Sequence, residues 1–185
     1  MEAVEAYKIF GPLSVVAIWA AMLFIIKKWP GHRGMTVSAH VAAYKEAYLL
    51  LAIVCSISYP FFALFMFGWF IPALQLPLVF SWLTGLILIL DFIIAWVPQL
   101  PGWKGTVHQF AAYAMASTFL PFAIMLARAP AVSGIARAVI VACTFLMALF
   151  WVIFILSKKS KEYFLYFQLT YFLLFDTTFL AAAFL

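Results

Sequence analysis

Two carboxylates lie inside long apolar runs: Asp91 within Leu88-Ile89-Leu90-Asp91-Phe92-Ile93-Ile94, and Asp176 within Leu173-Leu174-Phe175-Asp176-Thr177-Thr178. A charge at the centre of a bilayer costs on the order of 2.5–3.5 kcal/mol on insertion scales, so an acid at that depth needs a reason. It can relay protons, pair with a cation or anchor the polar end of a ligand. The structural alternative is a neutral carboxyl donating one hydrogen bond between helices. For Asp91 both readings stand.

A second polar group gathers toward one end of the chain's apolar segments. His32, His40, Lys45 and Glu46 precede the second segment, and Lys104 and His108 precede the fourth, all at the end nearest Asp91. His40, Tyr44 and Tyr48 recur every four residues, the spacing of one helix face. His40, Tyr44, Glu46, Asp91 and His108 therefore form the candidate site, the polar mouth of a pocket in which Asp91 or His108 holds a head group. The plainer reading of its interfacial members is that helix ends in the wet headgroup region carry His, Lys and Glu at little cost. Asp91 stands seven positions before Pro98, about 10 Å from that face at the helical rise. Asp176 stands nine residues from the last position, about 13 Å from the opposite face. The two acids are therefore not expected to meet as a dyad. Arg137 begins the fifth segment on the side of Asp176, so a snorkelling Arg137–Asp176 ion pair is expected.

Other chemistries find no residues. Haem between helices needs mid-membrane histidine pairs, and His40 and His108 sit together near one face. Zinc hydrolysis wants an H-E-x-x-H or similar cluster, which is missing. A retinal protein needs a lysine in mid-span, and every lysine here is at or beyond a segment end. The paired motifs of lipid phosphotransferases are also missing. Cys55 and Cys143 lie in apolar runs with no C-x-x-C spacing and read as small buried side chains. No cofactor and no metal are expected.

These residues are positioned by a chain that is 69% hydrophobic, 19% aromatic and 9% charged over 185 residues. Soluble domains are about 45–50% apolar and about 25% charged. A soluble fold of this size cannot hide so much apolar side chain, which excludes a soluble enzyme, a nucleic-acid-binding domain and a disordered chain. The chain reads instead as a single all-α transmembrane domain over 1–185, a bundle of six helices. A span needs about 20 mostly apolar residues. Six are expected, at about 10–26, 48–71, 77–97, 107–127, 135–156 and 163–185. Trp29-Pro30-Gly31, the Pro72/Pro77 pair, the loop from Pro98 to Gly102 and Ala129-Pro130 punctuate them. If span two starts as early as Ser38, its first turns stand in the headgroup region. Trp29, Trp69, Trp96, Trp103 and Tyr163 fall near span ends, as an interfacial belt requires. The internal phenylalanines read as packing or lipid contact, and as the wall of an apolar pocket if there is one.

Pro60 and Pro121 fall inside spans two and four, each after hydroxyl residues: Ser56 and Ser58, then Ser117 and Thr118. A proline removes one helical hydrogen bond, and a nearby hydroxyl can satisfy the freed carbonyl. The pair reads as hinges or as static kinks. Glu2 and Glu5 before span one, with Lys27-Lys28 after it, point to a retained anchor rather than a cleaved signal peptide. Loops one, three and five hold Lys27, Lys28, Arg33, Lys45, Lys104, Lys158, Lys159 and Lys161, while the N-terminus and even loops hold Lys8, Arg128 and Arg137. That bias expects the odd loops to be cytoplasmic and both termini outside.

The stretch Ile93-Ile-Ala-Trp-Val-Pro98-Gln-Leu-Pro-Gly102-Trp-Lys-Gly-Thr-Val-His108-Gln-Phe-Ala-Ala112 resembles a pattern in a family of six-span prokaryotic membrane proteins of unknown function. That family is similar in layout to the eukaryotic FRAG–DRAM–SFK membrane proteins. Pro98 and His108 are the matching residues, and Thr36-Val-Ser38 before span two fits the layout. Ala95 stands where a glycine is usual, and Gln99 rather than an acid follows Pro98. The resemblance implies a prokaryotic plasma-membrane protein with a role in lipid organisation, sensing or complex assembly. Its eukaryotic relatives carry cytoplasmic termini, opposite to the charge bias here.

The function expected is non-enzymatic binding of a lipid or other apolar small-molecule ligand between kinked helices. The alternatives are a small proton-coupled transporter using Asp91 and Asp176, and a lipid-modifying enzyme with His108 as acid–base and Asp91 orienting it. Membrane lipids are the expected partners, with no nucleic acid; a homo-oligomer and a subunit of a membrane complex both stay open.

Overall fold

The computed structural model describes residues 5–29, 31–157 and 162–185. Glu2, Pro30, Lys158, Lys159 and Lys161, which entered the anchor, turn and topology readings, lie outside the described residues. Every regular element among the described residues is helical. Six helices are long and apolar enough to cross a membrane: Ala6–Lys28, Lys45–Ala73, Leu78–Trp96, Trp103–Ala127, Gly134–Leu156 and Phe164–Phe184. They are spans one to six. Spans one and four start earlier than expected. Span one is led in by a 3-10 turn over Ala6–Ile9. Span four starts directly after Gly102, whose φ of 88° is open to glycine and strained for other residues. Lys104 thus lies within the first turn of span four rather than before it, and His108 one turn further in.

The short connections make consecutive spans neighbours. One packs on two, two on three, three on four, four on five and five on six, while six also touches four and closes weakly against one. Lipid tails are as apolar as leucine, so no hydrophobic force drives these helices together and close packing must hold them. The half of the bundle beside the N-terminus and even loops supplies it. Phe65, Phe70, Phe80, Phe122 and Phe179 are fully or almost fully buried there. The Phe80 and Phe122 rings lie 4.3 Å apart, and Phe122 meets Phe175 edge-on at 5.2 Å. Spans one and two approach closely at Gly11, where an added Cβ would fall 2.7 Å from the Phe65 ring. Gly11→Val should therefore lower stability by about 1–3 kcal/mol, the usual cost of overpacking. Thermal unfolding in detergent checks this, and an unchanged midpoint would contradict it.

Span two is irregular in a place the prolines did not indicate. The helix runs through Pro60, and a π-helical turn follows at Met66–Phe70. That turn sets Gly68 against the Tyr7 ring, 2.8 Å from where its Cβ would be, and buries Trp69. The Trp69 indole donates to Glu5 Oε1 (3.2 Å), and Lys8 lies over its ring at 4.8 Å. Pro60 and Pro121 deprive the carbonyls of Ser56 and Ser117 of their helical donors. The hydroxyls do not compensate there: Ser56 and Thr118 bond to the carbonyls of Ala52 and Ala114, both at 2.7 Å.

Loop one contains a short helix, Val37–Ala42, capped by Thr36, whose hydroxyl accepts from the Ala39 amide at 2.8 Å. Tyr44 is extended (φ −133°, ψ 119°), and span two starts afresh at Lys45. This break corrects the expectation that His40, Tyr44 and Tyr48 share one continuous helix face. The short helix is tied down over the bundle end. Thr36 donates to Gln99 Oε1 (2.6 Å), the Val37 amide to Gln168 Oε1 (2.8 Å), and the Leu165 amide to the Arg33 carbonyl (3.1 Å).

Candidate functional site

The two halves of the bundle differ. Below the phenylalanine core the helices are filled; toward loops one and three they part around a cavity of about 520 Å³. All six spans line it, each with residues from its odd-loop half or middle, from Ser14 and Trp19 in span one to Gln168 and Asp176 in span six. Aromatic side chains bound it. At the boundary with the core, Phe119 of span four stacks on Phe175 of span six at 3.6 Å and 7°. Beside it, Trp151 donates to the Tyr171 hydroxyl (3.0 Å), which donates in turn to the Ala116 carbonyl (2.7 Å), linking spans four, five and six.

Asp91 and Asp176 both line this cavity. No dyad is expected of them, and no hydrogen bond joins the two carboxyls among the described residues. Their depths do differ, Asp91 being five residues from the odd-loop end of span three and Asp176 twelve residues into span six, about 8 Å and about 18 Å, but the cavity spans both. Asp91 lies within hydrogen-bonding reach of the Tyr59 hydroxyl, which also reaches the Cys55 thiol. Cys55 and Tyr59, four apart, present one face of span two toward span three. Asp176 accepts a 2.7 Å hydrogen bond from the Trp19 indole through Oδ2. This bond crosses the weak seam between spans one and six.

The expected Arg137–Asp176 ion pair does not form. Arg137 Nη2 donates to the carbonyls of Ala129 and Val132, at 3.1 and 3.2 Å. The chain between spans four and five turns back, the Ala129 carbonyl also accepting from the Val132 amide at 3.2 Å, so that these turn carbonyls reach the guanidinium first.

The expected polar mouth also divides. His108 lines the cavity with its Nδ1 2.6 Å from the Val97 carbonyl, so the end of span three orients the ring. Gly105, one turn earlier, packs so tightly on the Leu100 carbonyl that a Cβ would overlap it. His40, Tyr44 and Glu46 do not line the cavity. His40 is buried with Nε2 on the Trp29 carbonyl, and its ring is pressed against Gly31. Tyr44 packs on Trp29, ring centroids 6.5 Å apart, and Glu46 is exposed. Sequence reasoning passed over Trp19, Tyr59, Gln99, Gln109 and Gln168, all of which line the cavity. For Gln109 and Gln168, which lie inside spans, a signal was there: an uncharged polar side chain in a span normally faces protein rather than lipid. Trp19 and Tyr59 carried no such mark among so many aromatics. Among the described residues, no group of three or more His, Cys, Asp or Glu could hold a metal ion.

Fold and site together define an integral, multi-pass, all-α membrane protein with an internal cavity in one half of its bundle. Compared with family models, with curated proteins and with solved structures, the chain matches none.

Proposed function

We propose that this chain binds a lipid or another apolar or amphipathic small molecule inside the cavity, without catalysing a reaction. The cavity itself carries this reading. Its 520 Å³ falls within the range of small-molecule sites, about 300–1,000 Å³. Its lining is largely aromatic and aliphatic with a few convergent polar groups, as such sites are. The reading places the protein in a prokaryotic plasma membrane with odd loops cytoplasmic and termini outside, so the cavity occupies the inner-leaflet half. Membership of the six-span family belongs to the same proposal; both matching residues, Pro98 and His108, line the cavity. Native mass spectrometry of the protein purified in mild detergent tests the reading. A bound molecule that survives detergent removal is expected, and bare protein at the gentlest activation would contradict it.

A carrier is the second reading, favoured by the π turn and Pro60 in span two, the helix that brings Cys55 and Tyr59 to Asp91. π turns recur at functional sites and mark helices that can repack. If the protein transports its ligand, a pH gradient should drive flux into proteoliposomes, and Asp91→Asn or Asp176→Asn should cut that flux at least tenfold. Flux indifferent to the gradient and to both changes would leave binding alone.

A further inference from the structure

The ionisable side chains of the cavity, Asp91, Asp176 and His108, differ in balance from those of the chain as a whole. The protein carries eleven Lys and Arg against six Asp and Glu. Yet the cavity lining contains Asp91 and Asp176 and, among the described residues, no Lys or Arg. The groups beside both acids are neutral: the Trp19 indole donates to Asp176, and the Tyr59 hydroxyl lies near Asp91. The one cation expected to pair with Asp176, Arg137, is held by backbone carbonyls instead. Asp176 Oδ1 accepts nothing among the described residues. Two carboxyls at this depth without a basic partner leave a site where a positive group is favoured and a phosphate is repelled, because charges interact strongly away from water.

The surfaces around the acids are of the matching kind. Trp19 and Tyr59 stand beside the carboxyls, and Phe62 and Phe172 line the same cavity. Phe172 stands four residues before Asp176 and so on the same face of span six. Aromatic faces attract cations, most strongly when both are out of water. A lipid with an anionic head group fits this floor poorly, and a neutral sterol-like body would make no use of the acids.

Resting on the ligand-binding reading above, we propose that the cavity takes a lipophilic organic cation, an amine or onium ion. Its charged group sits between Asp91 and Asp176 and its apolar body lies against the aromatic wall. Titration of the protein in lipid nanodiscs, corrected against empty nanodiscs, tests this with three aryl probes: tetraphenylphosphonium (cationic), the smaller triphenylphosphine (neutral) and tetraphenylborate (anionic, of the same shape as the phosphonium). Wild-type protein should bind the phosphonium at least tenfold more tightly than the phosphine and should not bind the borate. The Asp91→Asn/Asp176→Asn double variant should lose at least tenfold for the phosphonium and less than twofold for the phosphine. Equal affinity for phosphonium and borate, or a phosphonium affinity untouched in a folded double variant, would overturn the cation assignment and leave the cavity reading standing. No binding of either phosphonium or phosphine to folded wild type would instead defeat the cavity reading. If the double variant does not fold, the three-probe comparison on wild type decides alone.

Discussion

Ala112→Trp is expected to reduce ligand binding at least 100-fold while leaving the bundle folded. Ala112 lies in span four and lines the cavity, one turn beyond His108. An indole there projects into the open space rather than into packed side chains, so the overpacking cost that a filled core would impose is largely avoided. The ligand instead loses its volume. A 100-fold loss corresponds to about 2.7 kcal/mol of binding free energy. A graded series sharpens the test: Val, Leu and Trp at position 112 should weaken binding in that order with unfolding midpoints nearly unchanged. Wild-type affinity in a folded Trp variant would mean that the ligand binds elsewhere.

Phe122→Ala is expected to produce the largest loss of stability. Phe122 is 1% exposed and sits between Phe80 and Phe175. Truncating a buried phenylalanine in a soluble core costs about 3–5 kcal/mol, of which part is transfer from water and part is the cavity left behind. In a bilayer the unfolded helices already sit in an apolar medium, so the transfer part shrinks and the lost packing remains. A value of about 3 kcal/mol follows, at the low end of the soluble range. Unfolding by denaturing detergent measures it. A loss as small as that of an exposed ring such as Phe145, 68% exposed on span five, would show that the aromatic half is not a packed core.

The contrast between these two substitutions follows from how differently the halves of the bundle could be read. The six spans were legible because about 20 consecutive apolar residues have few other uses in a chain this short. Their ends were legible only where a proline or a charge stood beside them. Trp103-Lys104-Gly105 reads as loop by composition, yet Gly102 turns the chain so that the helix starts there.

The site was half legible. Scarcity of charge picked out Asp91, Asp176 and His108, and all three line the cavity. The partners of the acids were not legible, because depth along a span is all that residue counting measures. Counting gave no lateral position, so it did not bring Trp19 to Asp176 or Tyr59 to Asp91. It also placed Arg137 beside Asp176, where the turn before span five supplies carbonyls that satisfy the guanidinium. His40 and Tyr44 were misplaced for a different reason. The four-residue spacing assumes an unbroken helix, and the extended backbone at Tyr44 separates the loop-one helix from span two.

The central claim is that the odd-loop half of the bundle holds a ligand cavity floored by two acids. A density map of the protein in lipid nanodiscs, purified without added ligand, tests it most directly. Discrete non-protein density is expected between spans two, three, four and six, reaching Asp91 and Asp176. A collapsed interior, with side chains filling that space and no density beside either acid, would contradict it.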